Sequence, residues 1–349
     1  MTKSTDVMNA LKKVMDPELN RSVVDLNMVR DLAIKDGKVA FTLALTIPEC
    51  PLKDELEQDA RAAVMALPGV KQVQITQGAM TEEERQAVLG GQEQPPLAAG
   101  HNHIERVIAV MSGKGGVGKS LVTALLATAL QRAGHRVGIL DADITGPSIP
   151  KLFGVSGPLK GSNIGIEPAE SRMGIKLMSV NFLLPDEGEA VIWRGPLISG
   201  AIRQFWGDVH WGTLDELLVD LPPGTSDAAL TVMQSLPIKG ILMVTTPQEL
   251  ASMVVRKSIK MAQALNIPIL GIIENMAGFV APDTGKRYDI FGPSHADEVA
   301  TLAGAPILAR LPIDPQVAAL CDEGKIETVS LPEMDACVKA LRLKHPETV

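Results

Sequence analysis

Aromatic side chains are scarce in this chain. One tyrosine, three tryptophans and six phenylalanines make up 3% of 349 residues, so the core has to be assembled from aliphatic groups. Cysteine is thinner still. Cys50, Cys321 and Cys337 are odd in number and widely scattered, which excludes a disulfide framework and fits a reducing compartment. There is no basic excess: 33 Lys and Arg stand against 41 Asp and Glu, for a formal net charge of −8. That is the wrong sign for a general nucleic-acid binder, whose phosphate contacts need clustered cations. No apolar run is long enough to span a bilayer, and Met1-Thr2-Lys3-Ser4-Thr5-Asp6 lacks the apolar stretch of a signal peptide. These absences lead us to expect a cytoplasmic protein that engages neither membrane nor nucleic acid. What is present suits a globular chain. The 46% hydrophobic and 21% charged residues can bury a sizeable core, and the length favours a small domain plus a larger one.

From residue 3 to residue 15 the apolar positions Val7, Leu11, Val14 and Met15 share a face, the period of an amphipathic helix of about three turns. Asp16-Pro17-Glu18 ends it, because the residue before proline is driven out of helical backbone. Two alternating runs, Val29 to Ile34 and Val39 to Leu45, flank Lys35-Asp36-Gly37-Lys38, and Asp-Gly at that place signals a hairpin. A helix over Leu52 to Leu67, the turn Pro68-Gly69 and a strand over Val70 to Thr76 complete a small α/β domain, residues 1–80. Within it, Thr46-Ile47-Pro48-Glu49-Cys50-Pro51 sets a cysteine between prolines at the mouth of a helix. The helix dipole would stabilise a thiolate there, making Cys50 reactive or a metal ligand; the alternative is a small buried residue in a rigid turn. Residues 81–104, with Gly90-Gly91 and Pro95-Pro96, have linker composition. His101 and His103 near its end read as solvated loop and receive no role.

The stretch that organises the rest is Met111-Ser112-Gly113-Lys114-Gly115-Gly116-Val117-Gly118-Lys119-Ser120. It fits the phosphate-binding template G-x-x-x-x-G-K-[ST], directly after a strand-like run, Arg106 to Val110, and before a helical pattern. Gly113, Gly115, Gly116, Val117 and Gly118 would turn several N–H groups inward, and the helix start adds the positive end of its dipole, so a polyphosphate is held mainly by main chain. Lys119 would reach the β- and γ-phosphates while Ser120 ligands Mg²⁺. Lys114 is a second lysine inside the loop. It either neutralises the nucleotide bound there or reaches across to a second subunit's.

Downstream, a helix over Leu121 to Ala133 is ended by Gly134. The buried strand Arg136 to Leu140 then delivers Asp141-Ala142-Asp143 to its C-terminal end, the edge where open parallel sheets bind ligands. Two carboxylates beside such a loop would serve Mg²⁺ or the attacking water, or one of them would cap the next turn. Leu217-Leu218-Val219 running into Asp220-Leu221-Pro222-Pro223-Gly224-Thr225 has the form of a second metal-binding element. Asp220 there would hold Mg²⁺ through water, and the Pro-Pro-Gly turn would stiffen a loop that senses the γ-phosphate. Gly240 to Thr245 and Ile269 to Ile273 are further buried strands, the first leading into Pro247-Gln248-Glu249 at a helix start and the second into Glu274-Asn275-Met276. The amide of Asn275 can pair with an adenine edge. Cys321 and Cys337 fall in apolar helical patterns that suit packing, and Met334 to Lys344 reads as a packed final helix. The expected fold is α/β: a doubly wound, mainly parallel sheet of P-loop NTPase type over residues 105–349, preceded by the small α/β domain.

Two sets of motifs carry resemblances. Asp16-Pro17-Glu18, Val24-Asp25-Leu26-Asn27-Met28-Val29 and Thr46 through Pro51 resemble the small SufT-like domain of iron–sulfur cluster assembly factors, where the cysteine is the functional position. Asn27 stands where members usually have glycine, and asparagine tolerates left-handed backbone nearly as well. Ser112 through Ser120 with the extra Lys114, Asp141-Ala142-Asp143 followed by Gly146-Pro147-Ser148, Trp193-Arg194-Gly195-Pro196, Val219 through Thr225, and Glu274-Asn275-Met276 together resemble the Mrp/ApbC family of deviant Walker A ATPases, relatives of MinD and ArsA. With the N-terminal domain, the resemblance covers nearly the whole chain. It implies ATP and Mg²⁺ as cofactors, slow hydrolysis, a homodimer, and delivery of a cluster such as [4Fe-4S] to apo-proteins or assembly factors. It also implies that Lys114 contacts nucleotide across the dimer, Lys119 and Ser120 contact phosphate and Mg²⁺, Asp143 positions water, Asp220 holds Mg²⁺ through water and Asn275 contacts the base.

The chain departs from that pattern twice. Leu121 follows Ser120 where members carry a further hydroxyl that touches the α-phosphate, which predicts a modest loss of nucleotide affinity. Ala281 and Thr284 stand where cluster-carrying relatives have Cys-x-x-Cys, the pair that lets two subunits offer four thiolates to one bridging cluster. Cys50 from each subunit is then the one cluster ligand to nominate. Two alternatives stay open: an ATPase scaffold that moves a client without holding a cluster, and a MinD-like regulatory ATPase.

Overall fold

The computed structural model describes residues 3–16, 21–45, 53–81, 84, 98, 100–144, 146–183 and 195–344. The chain divides into two compact units, Met1–Glu93 and Gln94–Val349.

In the first unit, Val29–Lys35 and Lys38–Leu45 pair antiparallel. Asp36 and Gly37 between them have φ of 48° and 82°, the two left-handed residues a tight hairpin requires. Gln72–Ala79 joins the other edge of Lys38–Leu45 in parallel, with the helix Lys53–Met65 as crossover. Leu11, Leu26, Phe41, Leu43, Ala60 and Val64 fill a core belonging to this unit alone. Asn27 adopts φ 52°, as its glycine-like position demands. The third strand starts at Gln72 rather than Val70 because Lys71 and Gln72 both donate their N–H to Gly37 O in the hairpin turn. The first helix is shorter than its periodicity predicts, spanning Ser4–Leu11. A turn closed by Val14 N to Leu11 O at 3.0 Å brings Val14 back to the core the helix already faces, so apolar spacing outruns the helix. Met15 is exposed and pairs with Ser22 in a short bridge. The Cys50 segment lies outside the described residues.

In the second unit, eight strands form one sheet in the order Ala169–Glu170, Lys176–Met178, Val137–Asp141, Thr213–Asp220, His103–Ser112, Gly240–Thr245, Ile269–Glu274, Ile307–Arg310. All neighbours are parallel except the first pair. The pleat sends Ile108 and Val110 to one face and Val107, Ala109 and Met111 to the other. Helix Lys119–Arg132, helix Pro315–Asp322 and helix Pro332–Lys344 cover the first face. Helices Gly195–Gly207, Asp227–Ser235, Glu249–Ala264 and Ala296–Ala303 cover the second. Apolar on both sides, the central strands read as continuous hydrophobic runs, which is why the sequence exposes them so clearly. Cys321 and Cys337 lie in the first-face core, and burial pushes the Cys337 thiol up to about 12.

The central strand begins at His103, inside the stretch of linker composition. Asn102 fixes it there: Nδ2 donates to Val209 O at 2.9 Å and Oδ1 accepts from Gly212 N at 3.0 Å. His101 meets the ring of His210 edge-on at 6.2 Å. Among the described residues no helix is long and apolar enough to cross a membrane.

Candidate nucleotide-binding site

Parallel register brings the ends of the central strands to one edge. Asp220 pairs with Asp141 on one side and Val110 on the other, while Val244 pairs with Ser112. The loop Gly113–Gly118 leaves the central strand here, with φ of 78° at Gly116 and 80° at Gly118, backbone that side chains rarely adopt. Gly118 is the left-handed cap of Lys119–Arg132, a helix of 14 residues, so free N–H groups of that helix face the loop.

Gly113 answers a second constraint. A Cβ there would lie 2.6 Å from Val255 N and 2.9 Å from Val254 C, backbone of the helix packed beneath. Gly113→Ala is expected to destabilise the fold by about 1–3 kcal/mol, which thermal unfolding of the nucleotide-free protein would register as a lowered midpoint.

Three side chains on one face of helix Lys119–Arg132 converge on Asp220, whose carboxylate is fully buried. Lys119 Nζ lies 2.8 Å and Ser120 Oγ 2.5 Å from Oδ2, and Thr123 Oγ1 donates to Oδ1 at 2.7 Å. Asp143 Oδ2 lies 3.9 Å from Lys119 Nζ. Thr123 falls outside the phosphate-loop template; its spacing, three residues past Ser120 on the same helix face, is the feature of the sequence that marks it. Leu121, where a further hydroxyl was missing, packs against the first-face core instead.

Asp141 does something different from its neighbour Asp143. Its Oδ2 accepts from Ser148 N and Ile149 N at 3.2 Å each and from Ser179 Oγ at 3.3 Å, and Asp143 N reaches its Oδ1 at 3.3 Å. It therefore anchors the 143–149 loop to the sheet edge. Complete burial, then the charge of Asp220, hold its carboxyl up to about 8, with Lys119 opposing. Of the two carboxylates, Asp143 alone faces the Lys119 ammonium across the site, while Asp141 supplies the capping alternative.

Asn275 is buried, its N–H bonded to Thr245 O at 2.8 Å. Its Nδ2 donates to Val117 O at 2.9 Å, and a Cβ on Gly118 would come within 2.3 Å of that nitrogen. The side chain placed by sequence at the base thus braces the phosphate loop. Gly224 N donates to Ser112 O at 2.9 Å, tying the Pro-Pro-Gly loop to the other flank. Lys114 Nζ donates to Gln248 Oε1 at 2.7 Å, and Ser112 Oγ holds Lys114 O at 3.1 Å.

The pairing of Ser120 Oγ with Asp220, hard oxygen donors at the mouth of a phosphate-binding loop, fits Mg²⁺. No comparable set exists for a cluster: among the described residues no group of three or more His, Cys, Asp or Glu could hold a metal. Ala281 and Thr284 sit on a hairpin between Phe279–Val280 and Arg287–Tyr288, closed by Ala281 N to Lys286 O at 3.0 Å, without a thiol. Trp193 and Arg194, like Cys50, lie outside the described residues.

A glycine-rich loop joining the central strand to a helix, with its lysine and serine on the carboxylate of the adjacent strand, defines a P-loop NTPase. Residues 103–344 match the family model of NUBPL iron-transfer P-loop NTPases and residues 4–76 that of iron–sulfur cluster assembly proteins. The iron–sulfur cluster carrier protein of Synechocystis sp. is 42% identical, over 96% of this chain and 94% of its own. The protein of that name from Methanocaldococcus jannaschii is 51% identical, over 68% of this chain and 82% of its own. A nucleotide-binding protein of Archaeoglobus fulgidus, solved in complex with ADP, is 48% identical, covers 66% of this chain and 91% of its own, and superposes with a TM-score of 0.61. The chain belongs to the NUBPL iron-transfer P-loop NTPase family.

Proposed function

We propose that this chain is an ATP-hydrolysing homodimer that carries iron–sulfur clusters and delivers them to apo-proteins. The observation that carries the nucleotide half is the convergence of Lys119, Ser120 and Asp220 at one sheet edge, with Asp143 opposite. Phosphates would be held by the N–H groups of Gly113 through Gly118 and by Lys119, which would leave Asp220 for the incoming negative charge. Mg²⁺, held by Ser120 directly and by Asp220 through water, would neutralise charge on the phosphates. Asp143 would orient the attacking water and Lys114 would supply a further cation, in its own site or the partner's. Asn275 would contact the base, its amide placed beside the phosphate loop by the bond to Val117 O. In this division the residues up to about 80 form a docking or cluster module and those from about 105 onward the engine, in line with the spans of the two family models. Lys114→Ala is expected to keep nucleotide affinity and lose ATP turnover; unchanged hydrolysis by that variant would remove Lys114 from the mechanism.

The cargo is inferred from the relatives, which are iron–sulfur cluster carrier proteins by name, with Cys50 as nominated ligand. A second reading has a specific observation in its favour. The hairpin at Ala281 and Thr284 carries no thiol, and Cys321 and Cys337 are buried, which suits a scaffold that moves a client without holding metal. Anaerobic reconstitution with iron and sulfide, read by absorbance and iron content, separates the two. The carrier reading expects stoichiometric cluster in the wild type and none in Cys50→Ala. Wild type without cluster favours the scaffold, and a cluster persisting in Cys50→Ala removes Cys50 as ligand.

A further inference from the structure

Lys114 is held at both ends. Its carbonyl accepts from Ser112 Oγ, and its ammonium reaches Gln248 Oε1 at 2.7 Å, across a sequence gap of 134 residues. Gln248 is the N-terminal cap residue of helix Glu249–Ala264, in extended backbone (φ −60°, ψ 135°). The second turn of that helix is the surface against which Gly113 packs without room for a methyl group. The loop lysine, the loop's first glycine and the start of this helix therefore form one contact. We propose that Gln248 is the resting acceptor of Lys114: it parks the lysine on the helix cap in the nucleotide-free chain and surrenders it to nucleotide phosphate, so that occupancy of the site is transmitted to the first turn of helix Glu249–Ala264. This rests on the reading of Lys114 as a nucleotide-contacting group.

The chemistry of the acceptor is what makes the exchange work. A neutral amide oxygen holds an ammonium in place and removes rotamers that would otherwise have to be frozen on binding. It binds that cation less strongly than a phosphate oxygen does, because hydrogen bonds with both partners charged are shorter and roughly twice as strong. A carboxylate at position 248 would compete with phosphate for the lysine on nearly equal terms. The two states of Lys114 thus differ in a contact made with the helix in one state and not in the other, which is the differential interaction any ligand-driven shift requires.

The test reads the lysine itself. Brief acylation of the nucleotide-free protein with an amine-reactive acetyl ester, followed by peptide mass spectrometry, gives the modification rate at Lys114 in wild type, Gln248→Ala and Gln248→Glu. Removing the acceptor in Gln248→Ala is expected to speed acylation roughly five-fold, about one hydrogen bond's worth, and Gln248→Glu to slow it below wild type. Gln248→Glu is also expected to lower ATP turnover about two- to five-fold while binding ADP normally, since the carboxylate shares the lysine with phosphate. Lys114 acylating at the same rate in all three proteins, each shown folded by circular dichroism, overturns the latch. Normal hydrolysis by Lys114→Ala overturns instead the reading on which it rests, and the acylation rates are unaffected by that outcome.

Discussion

Lys119→Ala is expected to lose nearly all nucleotide affinity and to weaken the empty protein as well. The Lys119 side chain is only 6% exposed, and its ammonium lies 2.8 Å from Asp220 and 3.9 Å from Asp143. With nucleotide present, it would make charge-assisted bonds to two phosphates, each worth about 1.5–3 kcal/mol, so its loss should cost on the order of 10²–10⁴ in affinity. Without nucleotide, the same ammonium compensates a fully buried carboxylate. Removing one partner of such a pair costs about 3–5 kcal/mol, because the other is left charged in low dielectric. Calorimetric titration with ADP and Mg²⁺, beside urea unfolding of the empty protein, measures both effects. Affinity within ten-fold of wild type would show that Lys119 does not contact phosphate, and unchanged unfolding would show that Asp220 finds its compensation elsewhere.

The second large effect concerns pH. Asp141 sits near 8 in the folded protein against an ordinary 3.8, chiefly because it is buried and then because Asp220 is beside it. The folded chain therefore keeps a proton that the unfolded chain releases. Its contribution to stability is complete below about pH 3.8 and is lost progressively as pH rises through 8. For the protein free of nucleotide and metal, unfolding free energy should fall between pH 6 and pH 8 with a slope approaching about 1.4 kcal/mol per unit, and level off above. Asp141→Asn keeps an oxygen for Ser148 N, Ile149 N and Ser179 Oγ but cannot ionise, so this part of the slope should vanish. Parallel pH profiles for the two proteins would place the titrating group elsewhere.

The engine was legible in the sequence for a physical reason. A strand buried on both faces has to be apolar throughout, so Gly240–Thr245 and Val137–Asp141 stand out from their surroundings. A phosphate loop needs glycines at backbone positions that other residues avoid, and the template records them. Edge strands gave no such signal. Ala169–Glu170 and Lys176–Met178 span two and three residues, too few for a period, and Ile307–Arg310, although flanked by Gly304, Pro306 and Pro312, is only four residues long. Side-chain direction was hidden as well. Nothing in the string Asp141-Ala142-Asp143 says that the first carboxylate turns back to the amides of residues 148 and 149 while the second stays with Lys119; that follows from pairing in the sheet, which fixes Asp141 opposite Asp220. Asn275 was found as a site residue because it ends a buried strand, yet its bond to Val117 depends on a distance in space that 158 residues of sequence conceal.

That last bond sets an order of events. The amide of Asn275 reaches the phosphate loop only after Ile269–Glu274 has paired with Gly240–Thr245, itself paired with the strand that carries the loop. A chain emerging from the ribosome displays its whole glycine-rich template some 150 residues before the residue that braces it has been made. During that interval the loop lacks the amide that holds Val117 O and abuts Gly118. Firm capture of a nucleotide by this loop is therefore expected late in the life of each molecule, after Ile269–Glu274 has paired.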